Sequence, residues 1–283
     1  MILAHRRRGR ASRGAAGHTL FELLTVIVII AVLLSIVRGG VQGVRTAKQA
    51  KIKAEIDALG LALEAYREKY FSYPPCNLAD PAHNLPLRQH VAGAFPRYNL
   101  ANLTADLKTA GVDPIDFRPD QALVFWLQGF SPDASQPFTG TGEKASLFEF
   151  DPSRLKTYGG GHVPSYCQPY SHDAPYVYFD AATYTLGSYA NPSFFKHPAI
   201  PAGSATVYID DVNRDSQFTA GVDRWVNPTT FQLIATGPDG QFSAAKPTRQ
   251  RLYPTGTGYD PAGADDDNIT NFCAQSRLGD AKL

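Results

Sequence analysis

Four aspartates near the end of the chain are the residues best suited to chemistry. Asp239 lies in the stretch FQLIATGPDGQF (Phe231–Phe242), and Asp265, Asp266 and Asp267 stand consecutively in ADDDNITNF (Ala264–Phe272). Carboxylates are hard oxygen donors, and with backbone carbonyls they can complete the shell of roughly six to eight oxygens that calcium takes. The same residues also suit a solvated acidic turn in which Asp239-Gly240 closes a hairpin. A second acidic stretch runs Asp211-Val212-Asn213-Arg214-Asp215-Ser216-Gln217 and alternates its oxygen groups as an EF-hand calcium loop does at its start. Ser216 replaces the glycine of that pattern, Val222 stands where its bidentate glutamate belongs, and Asp223 comes one residue late. An Asx-rich turn is the competing reading there.

Catalytic constellations are weaker. Ser171-His172-Asp173 holds the residue types of a hydrolytic triad, but neighbours in sequence do not ordinarily converge as one. The chain has no GxSxG, HExxH or Walker A pattern, and Gly159-Gly160-Gly161-His162 reads as a flexible loop. No enzymatic activity is expected. Cys76, Cys167 and Cys273 are far apart and form no CxxC pair, which argues against zinc. An exported location would permit one disulfide in any of three pairings, with one thiol left over. The formal net charge of +1 is unevenly spread: residues 1–17 carry Arg6, Arg7, Arg8, Arg10 and Arg13 and no acid. Beyond them the acids outnumber the bases, so no nucleic-acid partner is expected.

The apolar segment LFELLTVIVIIAVLLSIV (Leu20–Val37) has only Glu22, Thr25 and Ser35 as polar residues. As a helix it would rise about 27 Å, close to a hydrocarbon core of roughly 30 Å. With the arginines before it, the expectation is a transmembrane span over 20–37 with a cytoplasmic N-terminus. A secretory signal peptide would need a small-x-small site after the apolar core, and Arg38-Gly39-Gly40 fits that poorly. A plain signal anchor leaves Glu22 unexplained, because an ionised carboxylate in hydrocarbon costs several kcal/mol unless paired.

Gly17-His18-Thr19-Leu20-Phe21-Glu22-Leu23-Leu24 resembles the prepilin signature of type IV pilins and type II secretion pseudopilins. The resemblance implies that a prepilin peptidase cuts between Gly17 and His18, leaving Glu22 fifth in the mature chain. His18 departs from the phenylalanine or methionine more usual there, which bears on methylation of the new terminus. Glu22 of one subunit is then expected to pair with the α-ammonium at His18 of a neighbour, two charges that are costly apart and far less costly together. The segment AEIDALGLALEAYREKYFSYPP (Ala54–Pro75) also resembles major pseudopilins, where a similar helix ends in a Tyr-Pro element. The Asp239 turn with the later acidic run resembles their calcium-binding loop, which implies calcium at Asp239, Asp265, Asp266 and Asp267.

The expected role is thus a structural subunit of a type II secretion pseudopilus. A type IV pilus subunit for adhesion, motility or DNA uptake is the alternative, and a membrane-anchored binding or enzymatic domain that never polymerises is a third. The implied partners are copies of the chain itself, other pseudopilins, the prepilin peptidase and an inner-membrane assembly platform. The implied location is the bacterial inner membrane, single-pass with the head periplasmic, and then the filament.

These residues need elements to position them. All 21 prolines fall at Pro74 or later, so a boundary is expected near residue 73. That divides the chain into a cleaved leader (1–17), a helix (18–73) and a head (74–283). Within the helix, Ile52, Ile56, Leu59, Leu63, Tyr66 and Tyr70 recur at spacings of four, three, four, three and four, one face of an amphipathic helix. Gly39, Gly40 and Gly43 suit either a joint or close helix packing. In the head, Pro175–Ala181, Ala205–Asp210 and Phe231–Thr236 are strand candidates, and Ala122–Phe130 is a short buried helix or strand. The expected fold class is α+β and pilin-like: a long N-terminal helix, transmembrane in its first half, packed on a C-terminal antiparallel β-sheet with long loops.

Overall fold

All six residues of the predicted stripe, Ile52, Ile56, Leu59, Leu63, Tyr66 and Tyr70, are buried. Each such apolar side chain removed from water contributes about 1.5–3 kcal/mol. They lie on helix α1 (Leu20–Tyr70) of the computed structural model. The structure describes residues 20–158, 163–184, 194–196, 203–243, 251–256, 258–260 and 263–281, excepting the side chains of Glu22, residues 35–41, His172, Phe194 and Lys196. Two compact units divide the chain, Met1–Arg45 and Thr46–Leu283.

In the larger unit the helix stops where the sequence requires it. Phe71 takes a left-handed φ of 65°, and Tyr73-Pro74-Pro75 follows. The exit is pinned from the head: Trp126 Nε1 donates to the Pro75 carbonyl at 2.8 Å, and the Tyr178 hydroxyl to the Pro74 carbonyl at 2.8 Å. Next come α2 (Leu85–Ala94), α3 (Leu103–Thr109) and α4 (Ala122–Leu127). Asn84 caps α2 by accepting from Leu87 N, and Pro86 sits in the first turn, where its missing N–H costs nothing. His90 of α2 is buried between the Tyr66 and Ser72 hydroxyls, 2.9 and 2.6 Å from its ring nitrogens. Burial pulls its pKa down to about 3, so the ring is neutral at pH 7.

The strands are short. They are β1 (Leu155–Lys156), β2 (Ser165–Gln168), β3 (Ser171–Pro175), β4 (Val177–Asp180), β5 (Phe194–Lys196) and β6 (Ser204–Thr206). After these come β7 (Tyr208–Asp210), β8 (Arg224–Trp225), β9 (Phe231–Ala235), β10 (Arg251–Tyr253) and β11 (Ile269–Thr270). One-turn helices α5 (Ala181–Tyr184) and α6 (Ala264–Asp267) lie among them. The strands form sheets ordered β1-β2-β3, β11-β9-β4 and β10-β7-β8, with the pair β5-β6. Every pairing is antiparallel except β10 with β7, which is parallel.

Side chains knit these pieces together where backbone pairing stops. Gln232 is fully buried on β9; its Oε1 accepts from Tyr208 N at 2.8 Å, and its Nε2 donates to the carbonyls of Tyr208 and Val226. One amide thereby joins two sheets. This also explains why the Ala205–Asp210 candidate is two strands: the chain leaves one sheet at Val207 and enters another at Tyr208, on Gln232. The apolar stretch at 122–130 is helical only as far as Leu127.

The pilin-like arrangement is corrected in two respects. Several small sheets, one containing a parallel pair, replace the single antiparallel sheet, because strands of two to five residues cannot extend one ladder across the head. And among the described residues no helix is long and apolar enough to cross a membrane. The expected span over 20–37, and with it the single-pass inner-membrane location, is corrected on that finding.

A charged contact fixes the helix against the head. Glu55 accepts from Arg154 Nη1 and Nη2, each at 2.6 Å, from the Tyr166 hydroxyl at 2.9 Å, and from the Tyr176 hydroxyl. Arg154 is turned to meet it by the Cys167 carbonyl, which accepts from Nε at 2.8 Å. The side chains of Arg154 and Glu55 are only 10% and 17% exposed. Losing one partner of such a pair strands the other in a poorly solvated place. We predict that Glu55→Ala lowers unfolding free energy by about 3 kcal/mol or more. Lys156→Ala, which breaks an exposed pair with Asp173 at 3.0 Å, should cost under about 1 kcal/mol. Urea titrations of the two variants check the contrast.

Candidate functional site

The C-terminal aspartates are positioned by β9, β10 and α6. Asp239 lies in the turn after β9, where Gly240 has a φ of 70°. The turn docks on α6: Asp239 N donates to Asp267 Oδ2 at 3.3 Å, and a Cβ on Gly237 would overlap the Asp267 carbonyl and carboxylate oxygens. Glycine is therefore required at 237 by close approach.

Asp265, Asp266 and Asp267 occupy one turn of helix, so their side chains leave the axis about 100° apart. Each has gone to a different neighbour. Asp265, fully buried, receives Arg251 Nη1 at 2.6 Å, the Tyr208 hydroxyl at 3.1 Å and Asp260 N at 2.9 Å. Arg251 is itself 1% exposed and donates through Nη2 to the Ser204 carbonyl at 2.6 Å. Burial pushes the Asp265 carboxyl above its usual range, outweighing the Arg251 guanidinium that holds it down. Asp266 accepts from the Tyr259 hydroxyl at 2.7 Å, and Asp267 lies 3.6 Å from Arg277.

These four carboxylates are engaged separately: Asp265 has a buried cation supplied by the chain, and Asp266 and Asp267 turn to Tyr259 and Arg277. Asp239 and Asp267 are the pair brought together. Among the described residues no group of three or more acidic, histidine or cysteine side chains is gathered for a metal.

Gly17 and His18 lie outside the described residues, as does the side chain of Glu22, whose backbone is in α1. Gly159–His162 and the imidazole of His172 lie outside them too. Asp173 is paired with Lys156. Cys76, Cys167 and Cys273 are buried and free, so the permitted disulfide is not formed. Sequence reasoning missed Arg251, Glu55 and Gln232. A polar residue in a predicted strand, as Gln232 is, was the available signal. Arg251 had none, since its partner is separated from it by a loop.

Comparison with protein-family models, with curated proteins and with solved structures finds no match.

The Arg251–Asp265 pair yields a direct test. Arg251→Met should destabilise the chain by about 3–5 kcal/mol, by leaving Asp265 buried without its cation. Adding Asp265→Leu should recover most of that loss, since an apolar pair is often as stable as a buried ion pair. Chemical denaturation of single and double variants measures both.

Proposed function

We propose that the chain is a prepilin-processed filament subunit of the type II secretion pseudopilus class. The observation that carries this reading is the run of exposed apolar side chains on α1, with Leu20 83%, Phe21 71% and Leu23 63% exposed. An apolar surface of that extent marks an interaction site. Removing it from water contributes about 25 cal/mol per Å², and the same segment of neighbouring copies is a covering surface of matching shape and chemistry. The residues Gly17, His18 and Glu22 support the reading from the sequence. Cleavage after Gly17 creates an ammonium at His18, and a filament core of packed helices then needs Glu22 to neutralise it. The docking of the Asp239 turn on Asp267 supports a pseudopilus within this class, because those are the two halves of the C-terminal element in the resemblance.

The test is processing followed by assembly. N-terminal sequencing of the mature protein should begin at His18, and Gly17→Glu should leave the precursor intact. Glu22→Val should be processed normally but fail to form filaments. A mature chain that keeps Met1, or normal filaments from Glu22→Val, refutes the reading.

A further inference from the structure

Phe71, the first residue after α1, stands where a lone chain gains nothing from it. Its side chain is 83% exposed, and its φ of 65° is the left-handed conformation that favours glycine. A bulky residue there carries a backbone cost in addition to an apolar ring left in water, and backbone strain of this kind clusters at functional sites. The position is also held firmly. Tyr70 before it is buried, and the Ser72 hydroxyl after it lies 2.6 Å from His90 Nδ1. Glu68 and Lys69, in the turn of α1 that leads to Phe71, are exposed. Among the described residues the Glu68 carboxylate has no ion pair or hydrogen bond.

The same unit carries an open cleft of about 620 Å³ between the end of α4 and the segment 144–155. Its floor is Leu147, Phe148, Phe150 and Leu155, all half-buried. That floor is already ordered. The Phe148 and Phe150 rings meet at 4.8 Å, Phe150 rests against Tyr166 at 4.9 Å, and Leu147 N donates to the Leu127 carbonyl at 2.8 Å. Gly129 lets the segment close onto α4, since a Cβ there would overlap the Ala145 carbonyl. Lys144 and Glu149 stand exposed at the rim, and among the described residues neither side chain has an ion pair or hydrogen bond.

We propose that Phe71 of one copy of this chain seats in the 144–155 cleft of a second copy. A phenyl ring suits a floor of two phenylalanines and two leucines, where aromatic rings pack edge to face. The charges around ring and cleft match in sign. Lys144 meets Glu68, and Glu149 meets Lys69, which leaves the Tyr70 ring it now covers at 5.2 Å. Such complementarity fixes the direction in which the ring enters. An ordered ring entering an ordered cleft loses little conformational freedom. Ring and cleft are different patches, so the contact is heterologous and adds copies head to tail. It rests on the filament reading, which supplies the row of copies.

The experiment uses the purified full chain in a detergent that covers the apolar run of α1. The native cysteines are buried, so a short bis-maleimide reports on introduced ones. Ala65 and Gln128 are exposed, near the ring and at the cleft respectively. Ala65→Cys chains mixed with Gln128→Cys chains should give a mixed covalent dimer in excess of either same-variant product. Adding Phe71→Gly to the Ala65→Cys chain should cut that product at least about tenfold. Its unfolding midpoint should be no lower than wild type, because glycine takes a φ of 65° freely. Lys144→Glu in the Gln128→Cys chain should cut the product as well, and Glu68→Lys in its partner should restore it, which a folding defect would not allow. A missing mixed dimer, or one that survives both Phe71→Gly and Lys144→Glu, overturns the proposal and leaves the cleft to a different protein. Either result is separate from the filament reading, which stands or falls on cleavage after Gly17 and on Glu22→Val.

Discussion

A carboxylate on a helix that must be satisfied away from bulk water sets how the head is assembled. Apolar contacts along Ile52, Ile56, Leu59 and Leu63 are non-directional, and a helix carrying them could slide by one turn at modest cost. Glu55 removes that freedom. It takes two hydrogen bonds from Arg154 and one each from Tyr166 and Tyr176, groups that arrive from before β1, from β2 and from just before β4. Shifting the register by a turn would leave a carboxylate, a guanidinium and two tyrosine hydroxyls unpaired together. Such networks are worth most when every member is satisfied. Arg154 also stacks over the Tyr166 ring at 4.3 Å, so the charge holds an aromatic in place as well.

The same logic operates wherever the short strands end. A head made of small sheets has many backbone groups that no ladder reaches, and each must find a partner. Here the partners are side chains. Asp180, closing β4, accepts from Cys76 N at 2.8 Å and Ala182 N at 3.0 Å. Asn271 accepts from Leu233 N at 2.8 Å, and Lys53 reaches from the helix to the Thr270 carbonyl at 3.0 Å. Burial raises the Asp180 carboxyl above its usual range, against the backbone donors that hold it down. The irregular head is therefore specified by polar contacts over an aromatic and aliphatic core.

This explains what could be read in the sequence. The stripe from Ile52 to Tyr70 was legible because helical period needs no knowledge of the partner. Phe231–Thr236 was legible for its β-branched and aromatic content, and β9 occupies Phe231–Ala235. Ala122–Phe130 stayed ambiguous because a uniformly apolar run has no period. The number of sheets was not legible, since Gln232 decides it by reaching across space, and nothing local to Tyr208 announces that. The hydropathy of residues 20–37 suggested a span that the described helix does not provide. For the acidic residues, sequence gave positions and types but not which oxygens would be engaged.

That last point separates two loops of similar composition. Asp265 is fully buried yet completely served, by Arg251, Tyr208 and a backbone amide, so its charge is spent on holding β10 and α6 together. Asp211 is nearly as buried, but one of its oxygens has no partner. Acidic residues at a turn are structural when the chain brings its own cation and donors to them, and consecutive placement on α6 favours that, because each carboxylate is turned to a different wall. A sequence search weighted by the number of aspartates selects the run at 265–267. The structure shows that run engaged within the chain, Asp265 with Arg251, Asp266 with Tyr259 and Asp267 with Arg277.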